Sequence, residues 1–250
     1  MCNFFSAVLT KNEVFYSDPS RDVDGETDSH EAIIRGNNQK RQPLHADGSN
    51  GTNVLRTECK PSARTKRLED FDSYDFVIDQ DVYPHWYDKA DAESRTRAAL
   101  KERFPKGSKV VRIGTLNIPE KSNIASKYLT SVGGYLYVRA DADLPALTSV
   151  GGSLDVRADA DLPALTSVGG YLYVNADADL PALTSVGGSL YVNADADLPA
   201  LTSVGGSLDV RADADLPALT SVGGSLCVNA GGKLTAPMLT KVNGKNYPPK

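Results

Sequence analysis

The sequence has no long apolar run. Nowhere do apolar residues approach the roughly 20 in succession that a membrane-crossing helix needs, so no spanning segment is expected. Cysteine is scarce, with only Cys2, Cys59 and Cys227. A sparse, odd set argues against a disulfide framework and fits a reducing compartment. The start, MCNFFSAVLTKNEVFY, has a short apolar stretch with no basic residue ahead of it, unlike a secretory signal. The expected location is therefore the cytoplasm, with a virion surface as the alternative. The phosphate-cradling patterns GxxxxGK(S/T) and GxGxxG are missing, as are CxxC and HxxxH. His30, His45 and His85 lack metal-ligand spacing. From Leu129 to Ala230 there is neither Glu nor Lys.

That last absence coincides with the dominant feature of the chain. From Leu129 the unit LTSVGGYLYVRADADLPA recurs every 18 residues, at Leu147, Leu165, Leu183 and Leu201, and again from Leu219 with a two-residue expansion before Leu239. A fixed short period is the signature of a solenoid whose units stack as coils. Charge divides along the same line. Residues 1–128 balance 20 acidic against 20 basic side chains, whereas residues 129–230 hold 12 Asp and 3 Arg, a net charge of −9. A surface of that sign repels phosphates, so binding of a nucleic-acid backbone by the repeats is not expected.

Within a unit, Leu136, Val138, Ala140, Ala142 and Leu144 alternate with Tyr135, Tyr137, Arg139, Asp141 and Asp143. Period-two alternation means extended chain with one buried face. Leu147 and Val150 carry the apolar side onward, and Gly151-Gly152 reads as a turn where positive φ is cheap. Pro145 marks a bend or an unpaired edge. The spacing predicts a degenerate first coil at 109–128, in which Leu116, Ile118 and Ile124 stand 20 residues before Leu136, Val138 and Leu144. At the far end, LTAPMLTKVNG keeps the Leu and Val positions but introduces Lys233, Lys241 and Lys245, as expected of a cap at 231–250.

Differences between the copies fall mainly at three outward positions. They read Tyr135/Tyr137/Arg139, Ser153/Asp155/Arg157, Tyr171/Tyr173/Asn175, Ser189/Tyr191/Asn193, Ser207/Asp209/Arg211 and Ser225/Cys227/Asn229. Tyr, Asp, Arg and Asn together suit a recognition surface, although neutral drift at solvated positions after recent duplication gives the same pattern. Stacking also aligns two Asp columns. One includes Asp141, Asp159 and Asp177, the other Asp143, Asp161 and Asp179. Like charges about 4.8 Å apart repel. Side chains splayed into solvent, screening by the Arg139/Arg157/Arg211 row, or a bridging Ca²⁺ would each relieve this. The GGxGxD pattern of calcium β-rolls is absent, and no other cofactor is expected.

Residues 1–106 do not repeat. Phe4–Leu9 and Val14–Tyr16 predict a hairpin, Val54–Cys59 and Tyr74–Ile78 two strands, Ser29–Arg35 a short helix and Lys89–Phe104 a long one stopped by Pro105. The polar run 36–53 predicts a loop. Trp86 reads as a core anchor. Removal of Met1 would expose Cys2, whose own amine can serve as base in an N-terminal-nucleophile hydrolase. Cys2 and His30 are thus the catalytic candidates, against the plainer reading of an incidental cysteine. Asp22–Glu31 is acidic, but its Gly is misplaced for an EF-hand.

The segments LTSVGGSL and DLPALTSVGG resemble the short leucine-rich-like repeats of surface and phage-encoded proteins, including the BspA type and receptor L domains. That resemblance covers about 109–245 and implies coils that bind proteins or act as spacers. MCNFFSAVLT, DSHEAII at 28–34 and VIDQDVYPHWYD at 77–88 resemble an uncharacterised group of phage and prophage proteins that begin Met-Cys. The expected protein is mainly β. A small α+β domain at 1–106 precedes a right-handed-type β-solenoid of 18-residue coils at 107–250. The expected function is non-catalytic capture of a protein partner through Tyr135, Tyr137, Arg139, Asp155, Arg157, Tyr171, Tyr173, Tyr191, Asp209 and Arg211. A Cys2-dependent amidohydrolase with a solenoid targeting module, or a virion spacer, is the alternative.

Overall fold

The computed structural model describes residues 4–16, 30–38, 53–105, 109–110, 112–176 and 178–247. It is mainly β, with a small N-terminal α+β region and a parallel β-solenoid. In the head, β1 (Phe5–Leu9), β2 (Val14–Tyr16), β3 (Leu55–Lys60) and β4 (Asp75–Ile78) form an antiparallel sheet in the order β2-β1-β3-β4. Both faces of this sheet are covered, which is why β1 is buried along its whole length. Phe5, Ala7, Leu9, Leu55 and Cys59 join the main core with Ala92, Ala99 and Leu100 of α2 (Lys89–Arg103). Val8, Phe15 and Val54 meet Ile33 of α1 (His30–Asn38) in a second, smaller core. Alternating side chains leave a strand on opposite faces, so the two helices lie on opposite sides of the sheet.

Local chemistry explains both ends of α2. The Asp88 carboxylate accepts from the Asp91 amide at 2.8 Å as N-cap, and Lys101 and Arg103 occupy the last turn before Pro105. Arg95 clamps the hairpin by donating to the carbonyls of Thr10 at 2.9 Å and Glu13 at 2.8 Å. Trp86 is half-buried against the main core. In α1, Gly36 is exposed, and a Cβ there would meet nothing within 4 Å. Gly36→Ala should therefore stabilise the head by about 0.5–1 kcal/mol, since it removes backbone freedom from the unfolded chain at no steric cost. A rise in the urea midpoint followed by Trp86 fluorescence checks this.

Each full solenoid coil contributes three short strands. The Ser-Val and Leu-x-Val strands form two continuous ladders, whereas the Ala-Asp strands fall into two sheets, one from Ile124-Ala125 to Ala178-Asp179 and one from Ala196-Asp197 to Leu234-Thr235. Ser149-Val150 pairs with Ser131-Val132 and Ser167-Val168, and Leu154–Val156 with Leu136–Val138 and Leu172–Val174. Ala160-Asp161 pairs with Ala142-Asp143 and Ala178-Asp179. The register is one coil per 18 residues, so each apolar residue lies on its own copy. Leu147, Leu165, Leu183, Leu201 and Leu219 are fully buried, as are Leu136, Leu154, Leu172, Leu190 and Leu208. Each such side chain contributes roughly 1.5–3 kcal/mol on burial. The Ala side is thinner. Ala142, Ala160 and Ala214 are buried, but Ala178 and Ala196 are only partly so.

Three expectations change. The repeat glycines do not take positive φ; among the described glycines only Gly244 does. Gly is required for close approach instead. A Cβ at Gly169, Gly187, Gly205 or Gly223 would overlap the carbonyl oxygen of the equivalent glycine one coil earlier. In the first coil, the offset from the next falls from 20 residues at Leu116/Leu136 to 18 at Ile124/Ala142. Ile124 thus stands beside Ala142 rather than Leu144. At the far end Leu234 likewise stands beside Ala214. A large aliphatic residue closes the thin alanine column at each end of the rod. The cap also turns back on itself. Lys245-Asn246 pairs antiparallel with Lys241-Val242 across Asn243 (φ 51°) and Gly244 (φ 71°), which closes the edge of the Ser-Val ladder.

Head and rod share one core, because Phe4, Leu68, Tyr74 and Phe104 belong to the same cluster as Val110 and the leucine columns. Arg67 forms a parallel bridge to Ala125, and the Ala125 amide donates to the Lys66 carbonyl at 3.0 Å. Ser126, which occupies the position of Leu144, donates to Glu69 Oε1 at 3.0 Å. The head thereby covers the first edge of the Ala-Asp ladder.

Candidate functional site

The Leu-x-Val ladder carries the varied side chains on its outer face in three rows. The middle row runs Asn117, Tyr137, Asp155, Tyr173, Tyr191, Asp209, Cys227. Neighbouring strands hold the rings in register, so Tyr173 stacks on Tyr191 with centroids 4.8 Å apart and planes 5° from parallel. Tyr171 leans on both, at 6.2 Å from Tyr173 and 6.5 Å from Tyr191. Tyr135 and Tyr137 stack at 6.0 Å in the first full coil. Tyr135 and Tyr171 present the most surface, 40% and 48% exposed. Burial, then the neighbouring tyrosines, push the phenols of Tyr137 and Tyr173 upward, so both stay neutral hydrogen-bonding groups.

The Asp and Arg positions do a different job. Asp155 lies between Tyr137 and Tyr173 and is only 8% exposed. Arg157 Nε donates to its Oδ2 at 2.9 Å and Asn175 Nδ2 to its Oδ1 at 2.8 Å. The chain continues as Asn193 Nδ2 donates to Asn175 Oδ1 at 2.8 Å. Asp209 repeats the motif, accepting from Arg211 at 3.3 Å and from Asn229 at 2.6 Å. Asp155 is thus a buried acceptor at the start of a hydrogen-bond chain that runs through three coils. Arg139 is exposed and heads the third row. Arg157 and Arg211 pair with the aspartate two residues before them rather than with the Asp columns.

The Asp columns flank a shallow groove of about 680 Å³ floored by Ala142, Ala160 and Ala178. Asp141, Asp143, Asp159, Asp161 and Asp179 are all exposed, so splaying into water relieves their repulsion. Asp177 lies outside the described residues, as do Cys2 and all but the last two residues of the acidic run Asp22–Glu31.

In the head, His30 opens α1 and is buried. Its Nε2 lies 3.0 Å from the Thr57 carbonyl and its Nδ1 3.2 Å from Asp79 Oδ2. Glu58, 3% exposed, completes a cluster in which one ligating atom from each of His30, Glu58 and Asp79 lies within 4.8 Å of the others. Gln80 holds Asp79 in place by imitating strand backbone. Its Oε1 accepts from the Arg56 amide at 2.7 Å, and its Nε2 donates to the carbonyls of Val82 and Val54. Sequence spacing missed Glu58 and Asp79 because they are far from His30 along the chain. Only the pairing of β3 with β4 brings them together. Among the described residues, no helix is long and apolar enough to cross a membrane. No family model matches the chain, and no curated protein or solved structure matches it either.

Proposed function

We propose that the chain is a non-catalytic binding protein that captures a protein partner on the tyrosine face of its solenoid. The observation that supports this reading is the cluster of Tyr171, Tyr173 and Tyr191, three rings held in contact on a backbone-paired rib. Tyrosine gives large contact area at low side-chain entropy cost and concentrates at the centres of interfaces. The ladder pre-orders the rings, so little further freedom is lost on binding. Charge favours a partner surface rich in Arg or Lys, because residues 129–230 hold 12 Asp against 3 Arg, and cationic groups also stack on tyrosine faces. The resemblance of the head to phage and prophage proteins supports an accessory role in a bacterial host cytoplasm. The repeats then serve as leucine-rich-like recognition coils.

The full chain is used as bait in bacterial lysate beside a variant with Tyr135, Tyr137, Tyr171, Tyr173 and Tyr191 replaced by Ser. The wild type should retain a discrete protein set that the variant loses by at least about tenfold, since a central aromatic anchor contributes about 2 kcal/mol or more. Unchanged β circular dichroism shows that the variant still folds. Equal capture by both chains overturns the reading and leaves the rod as a spacer.

A further inference from the structure

We infer that His30, Glu58 and Asp79 form a binding site in the head for one divalent transition-metal ion of the zinc type. The three side chains come from different elements. His30 is the first residue of α1, Glu58 lies within β3 and Asp79 directly follows β4. Their ligating atoms nevertheless lie within 4.8 Å of one another, close enough to surround a single ion. Zinc–nitrogen and zinc–oxygen bonds are about 2.0–2.2 Å, so an ion among these atoms needs side-chain adjustment and no movement of the sheet.

The orientation of His30 is the first independent sign. A metal-binding imidazole usually donates its other N–H to a backbone carbonyl or carboxylate, which sets the tautomer and aims the free lone pair at the ion. Here Nε2 faces the Thr57 carbonyl at 3.0 Å, so its hydrogen points there and the Nδ1 lone pair faces Asp79 Oδ2 at 3.2 Å. A lone pair and a carboxylate at that distance repel unless a cation lies between them. That cation is either a proton, which makes an ion pair with the half-exposed Asp79, or a metal. Glu58 favours the metal, because it places a second carboxylate, 3% exposed, in the same cluster. With Glu58 the cluster offers an ion three ligating atoms, one more than the His30–Asp79 contact supplies.

Ser6 is the second sign. It stands directly opposite Glu58 in the β1–β3 pair, so its side chain leaves the sheet on the same face. It is fully buried, and its hydroxyl has no hydrogen-bond partner among the described residues. A buried hydroxyl beside the cluster suits a water or ligand held by an ion. The position of Asp79 is also fixed, since its amide donates to the Arg56 carbonyl at 3.0 Å and Gln80 extends the pairing. One imidazole and two carboxylates suit Zn²⁺, Fe²⁺ or Mn²⁺, whereas the hard ions Ca²⁺ and Mg²⁺ prefer oxygen alone. Three protein ligands leave a coordination position open to water or a small anion.

The test is calorimetric titration of the full chain, stripped with chelator, with ZnCl2, MnCl2 and CaCl2 in separate experiments. One equivalent of Zn²⁺ should bind, more tightly than Mn²⁺, with no competition from Ca²⁺. Asp79→Asn, at the exposed rim of the cluster, should weaken Zn²⁺ binding by at least about tenfold. Cobalt substitution should give visible d–d bands without a thiolate charge-transfer band. Should the variant not fold, the wild type alone decides, since Zn²⁺ must raise the midpoint seen by Trp86 fluorescence and chelator must reverse it. Absence of stoichiometric uptake, unchanged affinity in Asp79→Asn, displacement by Ca²⁺ or a thiolate band would each overturn the assignment. The Ca²⁺ arm separates this site from the exposed Asp columns.

Discussion

Gly205→Ala should destabilise the rod by about 2–3 kcal/mol, although alanine is the better residue in most backbone settings. A methyl at Gly205 would overlap the Gly187 carbonyl oxygen and crowd its carbon. That oxygen belongs to backbone, so no rotamer change can move it aside. The Gly205 amide also donates to the Val186 carbonyl at 2.8 Å, which fixes the distance between coils. Relief requires the coils to part, and that strains the flanking Leu201 and Leu208 stacks, both fully buried. The gain of about 0.4–1 kcal/mol from a stiffer unfolded chain offsets only part of this. Gly205→Asn separates the two explanations for the glycine. Asn tolerates positive φ, so it would be mild at a left-handed turn. It is larger than Ala, so it should be at least as damaging where the difficulty is contact. Urea melts followed by β circular dichroism should show Ala and Asn both lowering the midpoint. A harmless Asn beside a harmful Ala would restore the turn explanation.

The glycine pair shows where sequence reasoning succeeds and where it stops. The 18-residue period and the burial of Leu136, Val138, Ala142 and Leu144 were legible, because identical units can bury their apolar faces only on one another. The strands and α2 of the head were legible too, from alternation and from the stop at Pro105. The reason for Gly-Gly was not legible, since a residue without Cβ serves a turn and a close contact equally well. The slip at Ile124 was hidden for a related reason. An apolar residue can be aligned with either Ala142 or Leu144 when two residues are inserted between Ile118 and Ile124, and only hydrogen bonding decides between them.

The two candidate sites differ in the same way. The tyrosine strip could be located from the sequence, because a fixed register turns copy-to-copy differences into neighbours. The coupling of Asp155 to Arg157 and Asn175, and of Asp209 to Arg211 and Asn229, was also written in the triplets. Each coil with Asp at the middle position has Arg two residues later and is followed by a coil with Asn. A carboxylate with little exposure needs two donors, and the Arg and Asn supply them. The head cluster had no comparable signal. Antiparallel pairing of β3 with β4 brings Glu58 and Asp79 together and α1 adds His30, and no local spacing encodes that.

Raising the pH from about 8 to about 11 should weaken the head far more than the rod. Burial pushes the Cys59 thiol from an ordinary 9.0 up to about 12, with Arg97 opposing and Glu93 and Glu58 reinforcing the shift. Burial, then Glu69 and Asp70, drives the Tyr74 phenol well above its ordinary 10.0. Its hydroxyl donates to the Leu68 carbonyl at 2.7 Å, a bond that ionisation would destroy. In both groups the folded state holds its proton more tightly than the unfolded chain. The associated stability is therefore complete below the unfolded value and is lost as pH climbs from there toward the folded one. For Cys59 the window is 9 to 12, and the loss across it is on the order of 4 kcal/mol. A domain with a total stability of about 5–15 kcal/mol cannot absorb much of that. Trp86 is the only tryptophan and lies in the head, packed against the shared core, so its fluorescence reports from this region. Urea midpoints at about pH 8 and about pH 10.5 should fall steeply in the wild type. In Cys59→Ala the midpoint should start lower, because the substitution leaves a cavity, and should fall less with pH, because the thiol no longer titrates. The slopes carry the result rather than the starting values. Parallel slopes in the two proteins would mean that ionisation of Cys59 does not govern alkaline unfolding.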